Sequence, residues 1–403
     1  MSTTAIIVAA GKGERAKRPG DSGGIPKQYR TVGGKALVAH AAEALASHPA
    51  ISELIIVVAE GQAEQAQRAL GMKGDSHLMT VPPANDGDSQ QVTVPVQIIS
   101  GGILRQDSVL NGLKAANGAD AVLIHDAARP FIPHPVIDQL LVQLGAHQGA
   151  VPVLPVADTL AKGPDMLGDL VPRDDVFRIQ TPQAFRLSDV MAAHQQWKGG
   201  LATDDAQMVR ATGGTVALVS GDAALEKITH PQDFARAEAL WASSMISRTG
   251  MGFDVHRLET GEELWLCGIQ IPHDRGLSGH SDADVALHAL VDAILGAIGE
   301  GDIGTHFPPT DPEWRGAASS RFLEHARDLV LAKGGIIDHV DLTLICEAPK
   351  IGPHRAAMRT RIATLLQVQE ASISIKATTT ERLGFTGREE GIAAQAIATV
   401  RTR

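Results

Sequence analysis

Short, unbroken runs of apolar residues recur through the first 240 residues and alternate with longer stretches of helical periodicity. Five of these runs are rich in valine, isoleucine or leucine, namely TTAIIVAA, ELIIVVA, VQIIS, AVLIHD and AVPVLPV. A strand that is apolar on both sides must be covered on both faces, as strands in parallel sheets are. The pattern therefore predicts a mostly parallel α/β sheet that binds its ligands at the carboxyl ends of the strands.

The pattern of elements begins again near residue 247. A helix-like stretch, HPQDFARAEALWASSMI, closes the first part, and Pro231 stands near its start, where proline is tolerated. RTGMGFDVHRL then has the composition of a new strand. A chain of 403 residues is too long for one typical domain, so we expect domains at residues 1–240 and 247–403. Residues 71–95 are polar and aperiodic, which predicts an irregular surface loop.

The loop AAGKGER, which follows the first apolar run, is typical of a phosphate-binding turn. Gly11 and Gly13 allow backbone N–H groups to approach an anion closely. A dinucleotide-binding fold would reach an acidic strand end after about 20 residues. Here a Gly/Pro-rich segment follows, and the next strand-like run ends only at Glu60. Arg15 and Lys27 add positive charge, so we expect a nucleoside triphosphate; the alternative is that Arg15 is an ordinary solvated charge.

Charge and cysteine content exclude several classes of protein. A net charge of −10 disfavours nucleic acid and membrane surfaces as partners, because both would repel the chain. Cys267 and Cys346 are the only cysteines, which fits a reducing compartment and excludes a Cys-rich zinc module. No signal-peptide pattern opens the sequence, and no apolar run reaches the roughly 18 residues of a membrane span. We therefore expect a cytoplasmic protein.

The second part of the sequence contains the elements of a metal site. Asp254 and His256 in GFDVH are two residues apart on a strand, so both side chains leave the same face. His288, on a following helix, can meet them. Two imidazoles and one carboxylate leave a fourth position open, as in catalytic zinc sites. The alternative is an ordinary polar pair on the strand.

The helix that carries His288 has its own pattern. Ser281 is the candidate N-cap, with Asp284 three residues later as in a capping box. Asp284, His288 and Asp292 recur every four residues, which predicts one polar stripe along this helix.

A polar segment near the end of the chain, KATTTERLGFTGREEG, could line a second site. Its threonines and Glu381 offer oxygen ligands suited to phosphate and to a harder metal such as magnesium. The alternative for the threonines is an exposed edge strand. APKIGPH is a Pro-bounded loop, and such a loop often has no further role.

Taken in order, these motifs resemble two known families. Residues 1 to about 235 are similar to the 2-C-methyl-D-erythritol 4-phosphate cytidylyltransferases through AAGKGER, PKQY, RQDSVLNGL, HDAARP, TPQAF and TDD. Residues 247–403 are similar to the 2-C-methyl-D-erythritol 2,4-cyclodiphosphate synthases through GFDVH, HSDADVALHAL, GDIG, FPPTDPEW, APK and ATTTERLGFTGR. The resemblance implies a Rossmann-like nucleotidyltransferase sheet followed by an α+β synthase domain, in a bifunctional enzyme of the non-mevalonate isoprenoid pathway.

For the first half, the resemblance implies transfer of CMP from CTP to methylerythritol phosphate with release of pyrophosphate. Arg15, Lys27 and Lys227 would neutralise the triphosphate, with Gly11 and Gly13 in the binding loop. Asp126 would act on magnesium or on the ribose. Arg173 and Thr181 would hold the methylerythritol phosphate. Transferases of this family are dimers.

For the second half, the resemblance implies cyclisation of the 2-phosphorylated cytidyl intermediate with release of CMP. Asp254, His256 and His288 would hold Zn²⁺, and Glu381 would recruit Mg²⁺ or Mn²⁺. The remaining positions implied to contact substrate are Thr379 as a catalytic residue, His280 and Ser281 over the erythritol, Asp302 and Gly304 at the ribose, Ala348, Pro349 and Lys350 at the cytosine, and Phe385 and Arg388. These synthases are trimers with sites between subunits, so a larger homo-oligomer, such as a hexamer, is expected.

The sequence departs from these families at three places. About five extra residues around RPGDSGG separate Arg15 from Lys27, and residues 76–95 resemble an insertion. Pro309 stands where the synthases are expected to have an acidic residue, which affects one contact to a substrate hydroxyl.

Two other functions remain open from the residues alone. A sugar-phosphate nucleotidyltransferase could be fused to an unrelated zinc hydrolase, which would give linear products. A nucleotide-sensing scaffold with a structural metal would need a fourth protein ligand near His288, for which Cys267 and Cys346 are the only soft candidates.

Overall fold

The chain folds into two compact units, Met1–Ala242 and Ser243–Arg403, in a computed structural model. The structure describes residues 1–11, 25–72, 76–81, 91–163, 165–279, 281–308 and 316–402. Among these residues, no helix is long and apolar enough to cross a membrane.

The first unit is built around one large sheet. Its strands and helices are, in chain order, β1 Thr3–Ala9, β2 Thr31–Val32, β3 Lys35–Ala36, α1 Leu37–Ala46, β4 Ile51–Val58, α2 Ala63–Ala69, β5 Leu78–Val81, β6 Val92–Ser100, α3 Arg105–Ala115, β7 Ala121–Asp126, α4 His134–Gln143, β8 Gly149–Pro155, β9 Leu160–Ala161, β10 Leu170–Val171, β11 Phe177–Ile179, β12 Gln183–Arg186, α5 Leu187–Gln196, α6 Asp205–Ala211, β13 Val216–Ser220 and α7 Pro231–Ser243. Pro231 is therefore the first residue of the closing helix.

The large sheet has the strand order β11-β8-β12-β7-β1-β4-β6-β5, and β13 also pairs with β8. Strands β7, β1, β4 and β6 are parallel neighbours, as are β8 and β13. The predicted mostly parallel sheet is confirmed. β12 runs antiparallel between β7 and β8, and β5 and β11 are antiparallel additions.

Helices cover both faces of this sheet. In β1, Ala5 and Ile7 pack on the side of α1 and α4, while Ile6 packs on the side of α3, α5 and α6. All are fully buried. Covering on both faces is the reason that this strand has no polar alternation.

The prediction of an irregular loop over residues 71–95 is wrong in part. β5 lies within it, and β6 already begins at Val92. Exposed and buried residues alternate along β5: Leu78 and Thr80 are exposed, and Met79 and Val81 are buried. The alternation arises because this edge strand packs against the core on one face only. Residues 73–75 and 82–90 lie outside the described part of the chain.

The second unit is an α+β fold, as predicted. Its elements are β14 Ile246–Thr260, β15 Trp265–Leu266, β16 Ile269–Gln270, β17 Arg275–Ser278, α8 Val285–Ala297, α9 Ile303–His306, α10 Ser319–Ala332, β18 Ile336–Ile345, α11 Arg355–Leu366, β19 Ile373–Thr378, α12 Gly384–Gly387 and β20 Gly391–Thr402. The sheet order is β17-β14-β20-β18-β19, with only β18 and β19 parallel. α8, α10 and α11 share one core with the sheet. The threonines of the TTT motif begin at the end of β19, an edge strand, and two of them lie beyond it.

Helix α8 lies very close to strand β14. A Cβ atom added to Gly250 would lie 2.1 Å from the carbonyl oxygen of Ala293. A Cβ atom added to Gly252 would lie 1.9 Å from the carbonyl oxygen of Ala289. Both contacts are to helix backbone, which cannot rotate away as a side chain could. The two glycines therefore set the spacing between helix and strand.

Gly252→Ala is expected to destabilise the second unit by about 3 kcal/mol or more, because the helix must move away from the sheet and its packed side chains with it. The measurement is urea-induced unfolding of the full chain. Gly296→Ala is the matched control, since Gly296 lies in α8, is exposed and has open space around it. We expect that control to stabilise by about 0.5–1 kcal/mol through helix propensity. Equal stability of Gly252→Ala and the parent would contradict the close approach.

Candidate functional site

A group of charged side chains meets at the carboxyl ends of β1 and β7. Asp126 is the last residue of β7. Its Oδ2 is 2.7 Å from Nζ of Lys227, and its Oδ1 is 3.2 Å from Nε of Arg105. Burial alone would raise the pKa of the Asp126 carboxyl, but the charges of Arg105 and Lys227 lower it well below its usual range. Asp126 is therefore an ionised, firmly held carboxylate.

Lys27 also lies near Lys227, at the carboxyl end of β1. It lies in a short 3₁₀ turn, Lys27–Tyr29, and its Nζ donates to the carbonyl oxygen of Ile228 at 2.6 Å. The side chain of Gln28 donates to the carbonyl oxygen of Ala9 at 2.7 Å, which fastens this turn to the end of β1. Of the predicted residues, the structure thus brings together Lys27, Lys227 and Asp126.

Arg105 and its partners were missed by the sequence analysis. Nη1 of Arg105 is 2.8 Å from Oδ2 of Asp205, and Oδ1 of Asp205 is 3.1 Å from Nε2 of His194. Arg105 therefore links two carboxylates that are far apart in the sequence. The available signal was the position of Arg105 and Asp205 in the motifs RQDSVLNGL and TDD, each at the first residue of a helix.

Thr181 fixes the backbone next to Asp126. Its Oγ1 accepts the Asp126 N–H at 3.1 Å and donates to Nδ1 of His125, also at 3.1 Å. Nε2 of His125 donates to the carbonyl oxygen of Arg129 at 2.8 Å. Burial lowers the pKa of His125 to about 4, so this imidazole is neutral at physiological pH.

The stability of the first unit is expected to fall between pH 7 and pH 4 because of His125. The unfolded chain takes up a proton at this histidine near pH 6.5, whereas the folded chain does so only near pH 4. Unfolding is therefore favoured as the pH falls through this window, by about 3 kcal/mol in total. Urea unfolding of the parent and of His125→Gln as a function of pH is the measurement. The variant is expected to lose less stability across the window. The exposed His77→Gln is the control, and equal losses in all three proteins would contradict the expectation.

Arg173 lies apart from this group. It follows β10, which pairs only with β9 in a two-stranded arm, and its guanidinium donates to the carbonyl oxygen of Ala157. Among the described residues, no hydrogen bond or ion pair joins Arg173 to Asp126. Gly11 is exposed and a Cβ there would meet no atom within 4 Å. Gly13, Arg15, His280 and Pro309, and the extra residues near Gly20, lie outside the described part of the chain.

The three predicted metal ligands of the second unit converge. Oδ2 of Asp254 is 3.1 Å from Nε2 of His256 and 3.0 Å from Nδ1 of His288, and these two nitrogens are 3.1 Å apart. β14 supplies the first two residues from one face, and α8 supplies the third across the glycine contact. The donor set and its spacing form a site for a divalent metal ion.

Asp254 and His256 each stabilise the charged form of the other, which shifts their pKa values in opposite directions. Burial alone would raise the pKa of Asp254, but hydrogen bonds with His256 and His288 lower it below its usual range. Burial would lower the pKa of His256, but Asp254 raises it. Nδ1 of His256 donates to the carbonyl oxygen of Ser278 at 3.0 Å, which leaves Nε2 directed to the ligand group.

Two details of the predicted helix are wrong. The N-cap of α8 is Asp284, which accepts the N–H groups of Ala286 and Leu287; it is not Ser281. Asp284 also accepts the N–H groups of Cys267 and Gly268, at 2.9 and 2.6 Å. It is fully buried and so is not part of a polar stripe with His288.

Asp284 is buried because its carboxylate binds the turn between β15 and β16. Cys267 and Gly268 both have positive φ, and this conformation directs two neighbouring N–H groups at one carboxylate. Asp292 is likewise used internally, since it accepts the Ile303 N–H at 2.8 Å. Ser281 accepts the Ala283 N–H, and its Oγ is 3.1 Å from Nε2 of His288.

The residues predicted for cytosine and for the second metal form a separate group. Ala348–Lys350 follow β18 and Thr379–Glu381 follow β19, and the ends of these parallel strands are neighbours at Ile345 and Thr378. The hydroxyl of Thr379 donates to Oε1 of Glu381 at 2.8 Å. Glu347, which sequence reasoning missed, accepts the N–H groups of Thr380 and Arg382 and so holds this turn.

This group lies far from the metal ligands within one chain. Asp254 on β14 is paired with Ala394 on β20. Ala394 is paired with Leu344 on β18, which is in turn paired with Ala377 on β19. Three strand spacings of about 4.8 Å place Ala377 about 14 Å from Asp254. The structure thus brings Asp254, His256 and His288 together, and Lys350, Thr379 and Glu381 together, but does not join the two groups.

The remaining predicted residues lie in short turns. Asp302 caps α9 and accepts both the N–H and the hydroxyl of Thr305 at 2.8 Å, and Gly304 lies within that helix. Phe385 is in α12 and is 39% exposed. Arg388 is paired with Glu390 at 2.8 Å.

Neither cysteine belongs to the metal group. Cys267 is fully buried beside Asp284, and burial raises the pKa of its thiol. Burial likewise raises the pKa of Cys346 to about 11. Within the described residues, no fourth His, Cys, Asp or Glu side chain joins the group of Asp254, His256 and His288.

Comparisons with known proteins cover both units. The model of the 2-C-methyl-D-erythritol 4-phosphate cytidylyltransferase family matches residues 3–243, and the YgbB family model matches residues 247–401. The protein of Rhizorhabdus wittichii named bifunctional enzyme IspD/IspF is 57% identical over 401 residues, which cover 99% of this chain and 98% of the relative. The protein of the same name from Caulobacter vibrioides is 48% identical over 406 residues, which cover 100% of both chains.

Solved structures give corresponding matches. The bifunctional IspDF from Campylobacter jejuni is 29% identical and is matched over 99% of its chain and 100% of this one, with a TM-score of 0.46. A CDP-bound 2C-methyl-D-erythritol-2,4-cyclodiphosphate synthase is 43% identical, matched over 98% of its chain and 38% of this one, with a TM-score of 0.35.

Proposed function

The chain belongs to the family of bifunctional IspD/IspF enzymes, and from that premise we propose how its residues divide the chemistry. It is an enzyme of the non-mevalonate isoprenoid pathway, with a cytidylyltransferase unit and a cyclodiphosphate synthase unit. Its substrates are CTP and intermediates of that pathway.

In the first reaction, an oxygen of the methylerythritol phosphate attacks the α-phosphorus of CTP, and the bond to the pyrophosphate leaving group breaks. The nucleophile is already an anion, so the protein needs to neutralise charge and align the reactants rather than remove a proton. Lys27 and Lys227 converge where the triphosphate is expected, at the ends of β1 and β7. We assign them, with Arg15, Gly11 and Gly13, to the triphosphate.

Three further residues complete this assignment. Asp126 is a held carboxylate and would bind magnesium or the CTP ribose. Arg173 and Thr181 would hold the methylerythritol phosphate. Arg173 follows the two-stranded arm, where Met166, Leu167 and Leu170 are 64–85% exposed. We propose that this arm packs on a second copy of the chain and that Arg173 serves the site of that copy. This supports a dimer of the first unit.

In the second reaction, the 2-phosphate of the substrate attacks its own diphosphate, and the bond to CMP breaks. Zinc held by Asp254, His256 and His288 would polarise the attacked phosphate as a Lewis acid, and magnesium or manganese held by Glu381 would neutralise the diphosphate. Thr379 would orient a phosphate oxygen. The positions assigned to substrate binding are His280, Ser281, Asp302, Gly304, Ala348, Pro349, Lys350, Phe385 and Arg388.

The distance of about 14 Å between the two groups of the second unit argues for an intersubunit site. Lys350 and Thr379 of one copy would serve the metal ligands of another. The sheet face opposite α8 supports such assembly, because Met251, Phe253, Val255 and Ile397 are 39–63% exposed on it. We propose a trimer of second units and, with dimeric first units, a hexamer. A cytoplasmic location fits the free thiols of Cys267 and Cys346.

Product analysis by phosphorus NMR tests both activities. Purified protein with zinc and magnesium receives either CTP with methylerythritol phosphate or the 2-phosphorylated cytidyl intermediate. We expect pyrophosphate from the first mixture, and a cyclic diphosphate with CMP from the second. Linear phosphates from the second mixture would instead support the zinc hydrolase alternative.

A further inference from the structure

The hydroxyl of Ser319 lies between His288 and a carboxylate. Its Oγ is 2.9 Å from Nε2 of His288, and it donates to Oδ1 of Asp282. Ser319 is fully buried, so water does not compete for these contacts. The function proposed above gives no role to Ser319 or Asp282.

The direction of these hydrogen bonds follows from the groups involved. A carboxylate only accepts, so the single hydroxyl proton of Ser319 is committed to Asp282. Towards His288, Ser319 then offers only a lone pair, and Nε2 must carry the ring proton and donate. With its proton on Nε2, the ring can offer the Nδ1 lone pair to a metal ion, and Nδ1 is the atom that lies 3.0 Å from Oδ2 of Asp254 in the ligand group.

We propose that Ser319, oriented by Asp282, is a positioning residue of the metal site. It holds His288 in the tautomer that presents Nδ1 to the metal. The hydrogen bond donated by Nε2–H increases the basicity of Nδ1. The inference rests on the proposed function only in that the metal is held by Asp254, His256 and His288. His256 is fixed differently, by the backbone carbonyl of Ser278.

The neighbouring hydroxyl of Ser281 cannot do the same. Its Oγ is 3.1 Å from Nε2 of His288 and 3.3 Å from Oγ of Ser319, but no carboxylate accepts its proton in the described contacts. Ser281 can therefore either donate or accept at Nε2 and does not select a tautomer.

The hydroxyl of Ser319 can be tested apart from its structural surroundings. Oδ2 of Asp282 accepts the Ser319 backbone N–H at 3.0 Å, and this bond fastens the start of α10. Ser319→Ala keeps that backbone bond and removes the hydroxyl, with its contacts to His288, to Oδ1 of Asp282 and to Ser281. In Asp282→Asn, the amide oxygen can keep the Ser319 N–H while its NH₂ donates to Oγ, which turns the hydroxyl proton towards Nε2.

The experiment measures the dissociation constant of Zn²⁺ for the full-length protein by competition with a chromophoric chelator. Ser319→Ala and Asp282→Asn are expected to bind Zn²⁺ about 10–100-fold more weakly than the parent. Ser320→Ala, at the adjacent position, is the matched control and is expected to bind as the parent does. In the metal-free protein at pH 8, the ¹⁵N shift of Nε2 of His288 should indicate a protonated nitrogen in the parent and an unprotonated one in Asp282→Asn, whatever proton Nδ1 shares with Asp254.

Unchanged Zn²⁺ affinity in Ser319→Ala, or an unchanged His288 tautomer in Asp282→Asn, would overturn the inference. So would weaker binding that merely follows unfolding, as judged by circular dichroism of the metal-free variants. A parent protein that binds no Zn²⁺ at these ligands would instead overturn the metal assignment in the proposed function. The two failures are therefore distinguishable.

Discussion

Replacing His288 by glutamine is expected to lower the rate of cyclodiphosphate formation by about 10³-fold or more, which corresponds to about 4 kcal/mol of activation free energy. The variant loses one of the three donors that lie within 3.1 Å of each other, and glutamine is a weak metal ligand. The remaining aspartate and histidine would hold a metal ion loosely and at the wrong position. CMP release from the 2-phosphorylated cytidyl intermediate is the measurement.

The first unit provides the internal control for this experiment. Pyrophosphate release from CTP by the same His288→Gln preparation should equal that of the parent, because the hydrogen bonds of His288 to described residues are to Asp254, His256, Ser281 and Ser319 of the second unit. Loss of both activities together would indicate a general folding defect. Retention of full synthase activity would contradict the role of His288 as a metal ligand.

Lys27→Met is expected to lower pyrophosphate release from CTP by about 10²–10³-fold, with the synthase activity unchanged. Methionine keeps most of the length of the lysine side chain but removes its charge. In the transition state, negative charge from both reactants crowds the α-phosphorus. Lys27 and Lys227 lie with Arg105 at the ends of β1 and β7, and Arg105 is already bound to Asp126 and Asp205. The loss should appear mainly in kcat, since charge neutralisation matters most in the transition state.

Lys227→Met should have a similar effect, and the double variant should lose less than the product of the two single losses. Residues that act on the same transition-state charge are not additive. Turnover of Lys27→Met at the parent rate would remove Lys27 from the proposed mechanism. A loss confined to KM would restrict it to substrate binding.

Much of the fold was predictable because burial restricts the residues of a strand to apolar types. The strands β1, β4 and β7 are covered on both faces, and the residues at their centres are accordingly apolar, with polar residues only near the strand ends. β12 was not predicted, because its four residues, QAFR, are too short to show a period. Its place between β7 and β8 depends on tertiary pairing that local sequence does not encode.

The candidate sites divide in the same way. Asp254 and His256 were predictable from strand geometry, and His288 from its helix, because each signal is local. The buried state of Asp284 was not predictable, since it depends on the turn at Cys267 and Gly268. The link from Arg105 to Asp205 spans 100 residues, and nothing in either motif indicates the other.

The glycines of β14 have a consequence for how this chain can change during evolution. Asp254 and His256 leave β14 on the same face as Gly250 and Gly252, and His288 adjoins Ala289, whose carbonyl oxygen limits Gly252. A side chain at position 252 would therefore separate His288 from its two co-ligands as well as α8 from the sheet. Substitutions there are therefore expected to lower stability and metal affinity together, which restricts this position to glycine. Drift in this half of the protein must be accommodated elsewhere, on positions such as Gly296 that face open space.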